Sequence, residues 1–340
     1  MTGADVEVDI LIVGAGPVGL YGAFYAGVRG LRVAVVDSLS EPGGQVAAMY
    51  PEKLIYDVAG LPAVKGRDLV TALVSQAAPY SPVYLFDQEA QTLERVGPSE
   101  LIVTTSTGTR VRCGAVVVTG GIGTFTPRPL PAGNDHLGRG LSFFVPDPTV
   151  HAGGDVVVVG GGDSALDWAL TLEPIAASVT LVHRRDKFRA HAATVAAAEA
   201  SSVRIIVNAQ VTTVHGSDVV EHVTVSGGNA DGPTEELLPC TAVVAALGFT
   251  ANLGPLREWG AELHDNRHLV VDSAMRTNIP GLYAAGDITD YEGKVRLISV
   301  GFGEVATAVN NAAVHLDPDA ALFPGHSSDL EAPAPVPVAV

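Results

Sequence analysis

The fold of this chain is decided near its amino terminus, in the stretch Asp9-Ile-Leu-Ile-Val-Gly14-Ala-Gly16-Pro-Val-Gly19. Residues 10–13 form a short, continuous apolar run that ends at a glycine, a pattern typical of a buried parallel strand. Residues 19–30 are rich in small side chains and predict a helix. Residues 31–36 predict a second strand, which Asp37 closes. The stretch therefore begins a unit of strand, turn, helix and strand.

The same pattern returns in the middle of the chain. His183 follows Gly160 by the same number of positions as Asp37 follows Gly14. The elements predicted for this second copy are a strand at 155–160, a helix at 164–172 and a strand at 178–182, and a further apolar strand follows each copy, at 113–120 and 240–248. Two copies with a long period predict two related domains and not an array of short repeats.

The first glycine turn has the residues and spacing that bind a dinucleotide, Gly14-Ala-Gly16-Pro17-Val-Gly19, and it lies between a strand and a helix. Gly14 permits the tight turn, Gly16 lets a pyrophosphate approach the backbone, and Gly19 lets helix and strand pack closely. The free N–H groups and the positive dipole end of the helix then face the phosphates. Asp37 would accept hydrogen bonds from a ribose hydroxyl, so the pattern predicts a bound dinucleotide.

The second turn, Gly160-Gly-Gly162-Asp-Ser164-Ala165, is the variant with alanine in the third glycine position. The position equivalent to Asp37 is His183, and three arginines follow it: Arg184, Arg185 and Arg189. An acid at this place would repel a 2′-phosphate, whereas arginines bind it with charge-assisted hydrogen bonds. The contrast between the two copies predicts NADPH, and not NADH, in the second domain.

Two turns predict two cofactors, and the pair Gly286-Asp287 after the apolar Tyr283-Ala-Ala indicates which side holds a flavin. The glycine lets the backbone approach the cofactor, and the carboxylate can bind a ribitol or pyrophosphate hydroxyl. The predicted fold class is α/β, with two Rossmann-like, three-layer ββα dinucleotide-binding domains and the NADPH domain inserted in the FAD domain. The predicted boundaries are 1–122 with 249–330 for the FAD domain, 123–248 for the NADPH domain and 331–340 for a flexible tail rich in proline and alanine.

Composition excludes several classes of protein. The net charge of −17 and the pI of about 4.8 argue against binding to nucleic acid or to an anionic membrane. Two cysteines, Cys113 and Cys240, provide no disulfide framework, no metal-ligand spacing and no Cys-x-x-Cys pair. No apolar run approaches 18 residues, and residues 1–9 lack a basic segment. We expect a soluble, cytoplasmic protein without a metal site.

The motifs together resemble those of the thioredoxin-reductase-like flavoproteins, and most closely the ferredoxin–NADP⁺ reductases of thioredoxin-reductase-like type. The resemblance runs from Asp9 to about Asp329. Besides the two glycine turns, it rests on Pro42–Gln45, Met49–Lys53, Ile55–Gly60, His183–Arg189, Ala285–Asp287, Gly301–Glu304, Ala308–Ala312 and Phe323–Ser328.

The resemblance implies roles for individual residues. FAD would be held by Gly14, Gly16, Pro17, Gly19, Asp37, Gln45, Asp57 and Asp287, with Thr307 near its pyrimidine end. NADPH would be held by Gly160, Gly162, Ser164, His183, Arg184 and Arg189. Tyr50 would stack on one face of the flavin ring. His326 would cover the other face in the partner subunit, which implies a homodimer.

The implied activity is electron transfer between NADPH and ferredoxin, by hydride transfer to flavin N5 and then single-electron transfer to the iron–sulfur protein. Because ferredoxins are commonly acidic, a local basic patch would have to receive one, and Lys53, Arg67, Lys294 and Arg296 are candidates for it. The residues leave alternatives open: flavodoxin, a quinone or a low-molecular-weight disulfide as acceptor, or a flavin-binding sensor without turnover. Reduction of thioredoxin is excluded, since no thiol pair could take electrons from the flavin.

Overall fold

The computed structural model describes residues 5–121, 123–229 and 232–326. The chain divides into two compact units, one made of the residues up to Thr124 and from Ala251 onward, the other of Phe125–Thr250. Residue 122, at one predicted domain boundary, and the tail predicted at 331–340 lie outside the described residues.

The first unit is built on a parallel sheet of five strands. Its strands are short apolar runs, and residues 10–12 are fully buried because both faces of the sheet are covered. Since all five strands run in the same direction, their carboxyl ends share one edge of the sheet, where both predicted flavin motifs lie. The strand order is Leu282–Ala284, Ala115–Val118, Ile10–Val13, Val33–Val36 and Val83–Leu85.

Helices and a second sheet complete the layers of this unit. Helix α1 (Pro17–Val28) packs between α3 (Gly66–Ala77) and α6 (Ile298–Leu316), and the short α2 (Gly44–Met49) contacts α3. Helix α1 begins at Pro17, earlier than predicted, because proline has the backbone angle of a first helical residue and needs no N–H partner there. The second sheet contains Asp5–Glu7, Arg110–Cys113, Glu100–Thr105 and Ala90–Gly97, in that order.

The second unit is built on the same kind of five-stranded parallel sheet, and the pair of units confirms the predicted fold class. Its parallel sheet has the order Leu141–Ser142, Ala242–Ala245, Asp155–Val159, Ser178–Val182 and Arg204–Ile206. Its helices are α4 (Asp163–Leu172) and α5 (Ala192–Ala200). An antiparallel sheet of Ala209–His215, His222–Asn229 and Gly232–Pro239 forms its third layer.

Short elements connect these layers. The remaining strands pair as Leu54–Ile55 with Val64–Lys65, as Thr124–Pro127 with Phe249–Asn252, and as Leu263–His264, His268–Val270 and Thr289–Asp290 in one small sheet. Single turns of 3₁₀ helix occur at Ala78–Tyr80, Asn134–His136, Pro148–His151 and Gly254–Trp259. Within the described ranges, no helix is both long enough and apolar enough to cross a bilayer.

Candidate functional site

The first glycine turn is held in a conformation that only glycines permit. Gly14 has a φ of +115°, and a side chain there would collide with the backbone of Thr119 at 2.8 Å. A Cβ on Gly19 would overlap the carbonyl oxygen of Gly14, so the helix and the turn are as close as two backbones can be. The hydroxyl of Thr119, buried at the end of the neighbouring strand, donates to that same Gly14 carbonyl over 2.8 Å.

Gly16 has open space in front of it, which fits a phosphate group. A Cβ built on Gly16 would meet no atom within 4 Å, so the turn does not need this glycine for its own packing. Gly16 is the N-cap of α1, and no side chain caps the first N–H groups of that helix. Uncapped N–H groups beside an open glycine form a site for an anion at the helix N-terminus.

Asp37 organises the turn from the end of the adjacent strand. One carboxylate oxygen accepts from the N–H of Ala15 at 2.6 Å, and the other accepts from the N–H of Leu39 at 2.9 Å. Burial raises the pKa of Asp37, and hydrogen bonds from the backbone of Leu39, Ala15 and Ser38 oppose that rise. Each oxygen keeps a further lone pair, which can accept from a ribose hydroxyl.

The predicted Pro42–Gln45 motif lies directly on the first turn. Gly43 donates its N–H to the carbonyl of Ala15 at 2.8 Å, and a Cβ on Gly44 would come within 3.0 Å of Gly16. Gln45, in the first turn of α2, lies beside Gly121, on the segment that follows the strand Ala115–Val118. The structure thus brings Gly14, Gly16, Asp37 and Gln45 to one edge of the sheet.

Gly286 and Asp287 follow the outermost strand of the same sheet, at the same edge. Burial raises the pKa of Asp287, while the charges of Lys294 and Arg296 act against this rise. Tyr50 caps the carboxyl end of α2 and is half-buried. Burial raises the pKa of Tyr50, and the carboxylates of Asp287 and Asp57 add to the increase, so the three side chains lie close enough to interact.

A buried cluster that the sequence did not reveal lies behind Gly286. Glu304 of α6 accepts the N–H of Gly286 at 2.7 Å with one oxygen. Its other oxygen accepts the hydroxyl of Tyr291 at 2.5 Å. The ammonium of Lys294 contacts both oxygens, at 2.5 and 2.7 Å, and the two charged side chains are only 3% and 5% exposed. One signal existed in the sequence: Glu304 is an acid on the helix face that otherwise presents Gly301, Val305 and Ala308.

Two further predicted flavin residues lie in the carboxyl-terminal part of the unit. Thr307 is half-buried on α6 and donates its hydroxyl to the carbonyl of Gly303 at 2.9 Å. His326 is exposed, and its ring stands edge-on to that of Phe323 with centroids 5.2 Å apart. The family resemblance implies that this ring would cover the flavin bound by a partner subunit. Ser327 and Ser328 of the same motif lie outside the described residues.

The second glycine turn repeats the geometry of the first. Gly160 has a φ of +157°, and a Cβ there would overlap the carbonyl oxygen of Ala246 and approach Ala165 to 2.7 Å. Gly162 is the N-cap of α4, has no atom within 4 Å of a built Cβ, and leaves the helix without a side-chain cap. Ser164 is exposed in the first turn of that helix. These features fit a second phosphate-binding helix terminus.

His183 supports this second turn from below. The residue is 9% exposed, and its ring stacks on Phe188 with centroids 5.1 Å apart and lies where a side chain on Gly161 would be. Its Nε2 is 3.2 Å from the carbonyl oxygen of Lys187. Burial lowers the pKa of His183, the carbonyl of Lys187 opposes this, and the nearby arginine charges lower it further. The ring is therefore neutral at pH 7.

The arginines after His183 form an exposed cationic group. Arg184, Arg185 and Arg189 all act on the pKa of His183, and the N–H of Arg189 donates to the carbonyl of Gly161 at 2.8 Å. In the part of the chain that the structure describes, none of the three guanidinium groups has a carboxylate within 4.0 Å. Unpaired guanidinium groups beside an open helix N-terminus suit a phosphate.

The two cysteines do not form a redox pair. Cys113 lies buried in the first unit and Cys240 lies buried in the second. Burial raises the pKa of each thiol to about 12, which keeps both protonated and unreactive at neutral pH.

The prediction of a basic patch is wrong for one of its four residues. Lys294 is buried against Glu304 and cannot present its charge to a partner. Arg67 is paired with Glu52 at 2.7 Å, and Arg296 lies 3.5 Å from Asp290. Lys53 remains exposed.

Comparison with known proteins places this architecture in a defined class. Two units with one glycine turn each are typical of oxidoreductases that use two dinucleotides. The model of the pyridine nucleotide-disulphide oxidoreductases matches residues 8–312. A thioredoxin reductase from T. acidophilum superimposes with a TM-score of 0.76 at 27% identity, over 92% of this chain and 99% of that one.

Two curated relatives are ferredoxin–NADP reductases. That of Salinispora tropica is 63% identical, over 95% of this chain and 99% of that protein. That of Halalkalibacterium halodurans is 45% identical, over 95% of this chain and 97% of that protein. The chain therefore belongs to the pyridine nucleotide-disulphide oxidoreductases and, within them, to the ferredoxin–NADP reductases of thioredoxin-reductase-like type, as the motifs indicated.

Proposed function

We propose that this chain is an FAD-dependent oxidoreductase that transfers electrons between NADPH and ferredoxin. The observation that carries the proposal is the contrast between two otherwise equivalent turns. One is flanked by the carboxylate of Asp37, and the other by an arginine group that pairs with no carboxylate among the described residues. A chain with this pair of sites suits one dinucleotide with a free ribose hydroxyl and one with a 2′-phosphate.

FAD fits the first unit. The open face of Gly16 and the uncapped start of α1 match a pyrophosphate, and the carboxylate of Asp37 matches a ribose. Asp287 and Tyr50 lie at the same end of the unit, where Asp287 can bind a ribityl hydroxyl and Tyr50 can stack on the flavin ring. When bound, FAD supplies the conversion of a two-electron hydride from NADPH into single electrons for an iron–sulfur protein.

NADPH fits the second unit. Gly162 and the start of α4 would take its pyrophosphate, with Ser164 beside them. Arg184 and Arg189 would bind the 2′-phosphate. The ring of His183 would hold the turn in place and, being neutral, would leave the phosphate to the arginines. The chain's own task in catalysis is thus to bind and orient two dinucleotides, and it needs no acid–base pair.

We also propose that the protein acts in the cytoplasm as a homodimer, with ferredoxin as its electron partner. The relatives at 58–63% identity carry the name ferredoxin–NADP reductase. In a homodimer, His326 of one subunit would cover the flavin face of the other. Of the four cations suggested by the sequence, Lys53, Arg67 and Arg296 are exposed and could receive an acidic partner, Arg67 and Arg296 by exchanging their present carboxylate partners.

The test is anaerobic reduction of the purified yellow protein, followed by an assay of cytochrome c reduction with and without ferredoxin. NADPH should bleach the flavin band much faster than NADH does, and reduction of cytochrome c should depend on ferredoxin. Rapid bleaching without dependence on ferredoxin would leave the flavoenzyme standing but would favour flavodoxin, a quinone or a low-molecular-weight disulfide as acceptor. Slow bleaching by both nucleotides would contradict the proposed activity.

A further inference from the structure

We propose that the buried pair Lys294–Glu304 is a positioning pair for the flavin site: Glu304 fixes the Gly286–Asp287 turn, and Lys294 balances its charge there. This inference rests on the proposed function, because it assumes that FAD lies at the carboxyl edge of the first parallel sheet. It adds two residues to that site that would not touch the cofactor themselves.

The contacts of Glu304 lead directly to the turn. Gly286 has a φ of +82°, and its N–H donates to Glu304 at 2.7 Å. The next residue is Asp287. Besides burial, the charges of Lys294, Arg296, Glu304 and His268 act on the pKa of its carboxyl. A shift of Glu304 therefore moves the backbone on which the Asp287 carboxylate is carried.

The packing of α6 does not require this pair. The helix buries small and apolar side chains along the same face, and Glu304 is the charged residue among its buried positions. A buried ion pair contributes little net stability compared with apolar side chains of the same size. What the pair does provide is a fixed acceptor for the N–H of Gly286 and a local charge that sums to zero.

The balance of charge affects the redox step. A reduced flavin carries more negative charge than an oxidised one, so an uncompensated cation nearby favours reduction and an uncompensated anion opposes it. With both partners present, neither effect dominates. Removing the cation or the anion alone should therefore shift the midpoint potential in opposite directions.

Three variants of the full-length protein separate the effect of Glu304 on the position of the Gly286–Asp287 turn from the effect of charge on the flavin potential. Glu304→Ala removes the acceptor for Gly286, and we expect the Kd for FAD to rise about tenfold or more. Glu304→Gln keeps an acceptor oxygen, so its Kd should stay within about threefold of the parent, while the flavin potential becomes more positive. Lys294→Met keeps the length of the side chain and should make the potential more negative.

A matched control uses an ion pair at the other edge of the same sheet. Arg32 pairs with Asp9 at 2.8 Å, at the amino ends of the strands, and Arg32→Met should change neither the Kd nor the potential. FAD binding is measured by flavin fluorescence on titration of the apoprotein, and the potential by equilibration with a reference dye. If Glu304→Ala does not fold, the opposite shifts of the other two variants still decide.

The inference is overturned if Glu304→Gln and Lys294→Met move the potential in the same direction or leave it unchanged. It is also overturned if folded Glu304→Ala binds FAD as tightly as the parent. Failure of the proposed function gives a different result, since the parent apoprotein itself would then not bind FAD.

Discussion

At the scale of single residues, we expect the choice between nucleotides to depend on side chains that follow the second strand of each unit. Asp37 ends that strand in the first unit, and His183 with Arg184 ends it in the second. In both units the residue follows a strand of the parallel sheet, next to a glycine turn and an uncapped helix start. We therefore expect this difference in charge to give the two units different preferred ligands.

Arg184→Gln and Arg189→Gln should each weaken binding of NADPH while leaving that of NADH unchanged. A charge-assisted hydrogen bond to a phosphate contributes about 1.5–3 kcal/mol, so the KM for NADPH should rise about tenfold or more. Arg204→Gln is the control, because Arg204 lies in the same unit but forms a surface ion pair with Glu236 at 2.8 Å. Equal losses with NADPH and NADH would argue against contact with the 2′-phosphate.

His183 should make the protein less stable as the pH falls below about 6.5. Burial lowers its pKa in the folded state, so between that lowered pKa and 6.5 the unfolded chain binds more protons than the folded chain. The unfolding free energy should then decrease with falling pH by at most about 1.4 kcal/mol per pH unit for this one proton.

His183→Asn should remove the contribution of His183 to the pH dependence of the unfolding free energy, as measured by urea unfolding between pH 7.5 and pH 5. His191→Asn is the matched control, since His191 is an exposed histidine of the same unit. An identical slope in parent and His183→Asn would mean that other groups account for the acid sensitivity.

At the scale of elements, the start of α1 depends on two glycines for different reasons. A Cβ on Gly19 would overlap Gly14, so Gly19→Ala should destabilise the fold by about 1–3 kcal/mol. A Cβ on Gly16 meets nothing within 4 Å, so Gly16→Ala should change the stability of the apoprotein by less than about 1 kcal/mol. Because the phosphates would need that space, Gly16→Ala should still weaken FAD binding about tenfold or more.

Thermal unfolding of the two apoproteins and FAD titration of each would check this pair. A Gly16→Ala protein that binds FAD like the parent would show that the pyrophosphate does not approach the turn. A Gly19→Ala apoprotein as stable as the parent would show that helix and turn can separate without cost.

At the scale of the whole molecule, two copies of one topology each carry their own glycine turn, so the two binding activities should be separable. Gly162→Ala should retain its yellow flavin and reduction by dithionite, while its Kd for NADP⁺ rises about tenfold or more. Gly16→Ala should be purified with little flavin but should bind NADP⁺ like the parent, as measured by calorimetry. Loss of both ligands in either variant would show that one site depends on the other.

The sequence by itself determined the two parallel sheets, the two turns and the contrast in charge between them. These features are local: a glycine at a fixed spacing, an apolar run of four or five residues, and an acid or arginines just after it. Local backbone sterics and burial determine these features, whatever the arrangement of the rest of the chain. Helix ends shifted by a few residues, as for α1, because capping depends on neighbouring contacts.

Only the tertiary structure decided which distant residues share the edge of the first sheet. Gly43 bonds to Ala15, Tyr50 lies near Asp287, and Lys294, read from the sequence as a surface cation, is buried on Glu304. Charge and residue type do not show burial, and no local pattern shows which helix turn faces which strand end. The register of packed elements fixes those contacts, and it exists only once the layers have assembled.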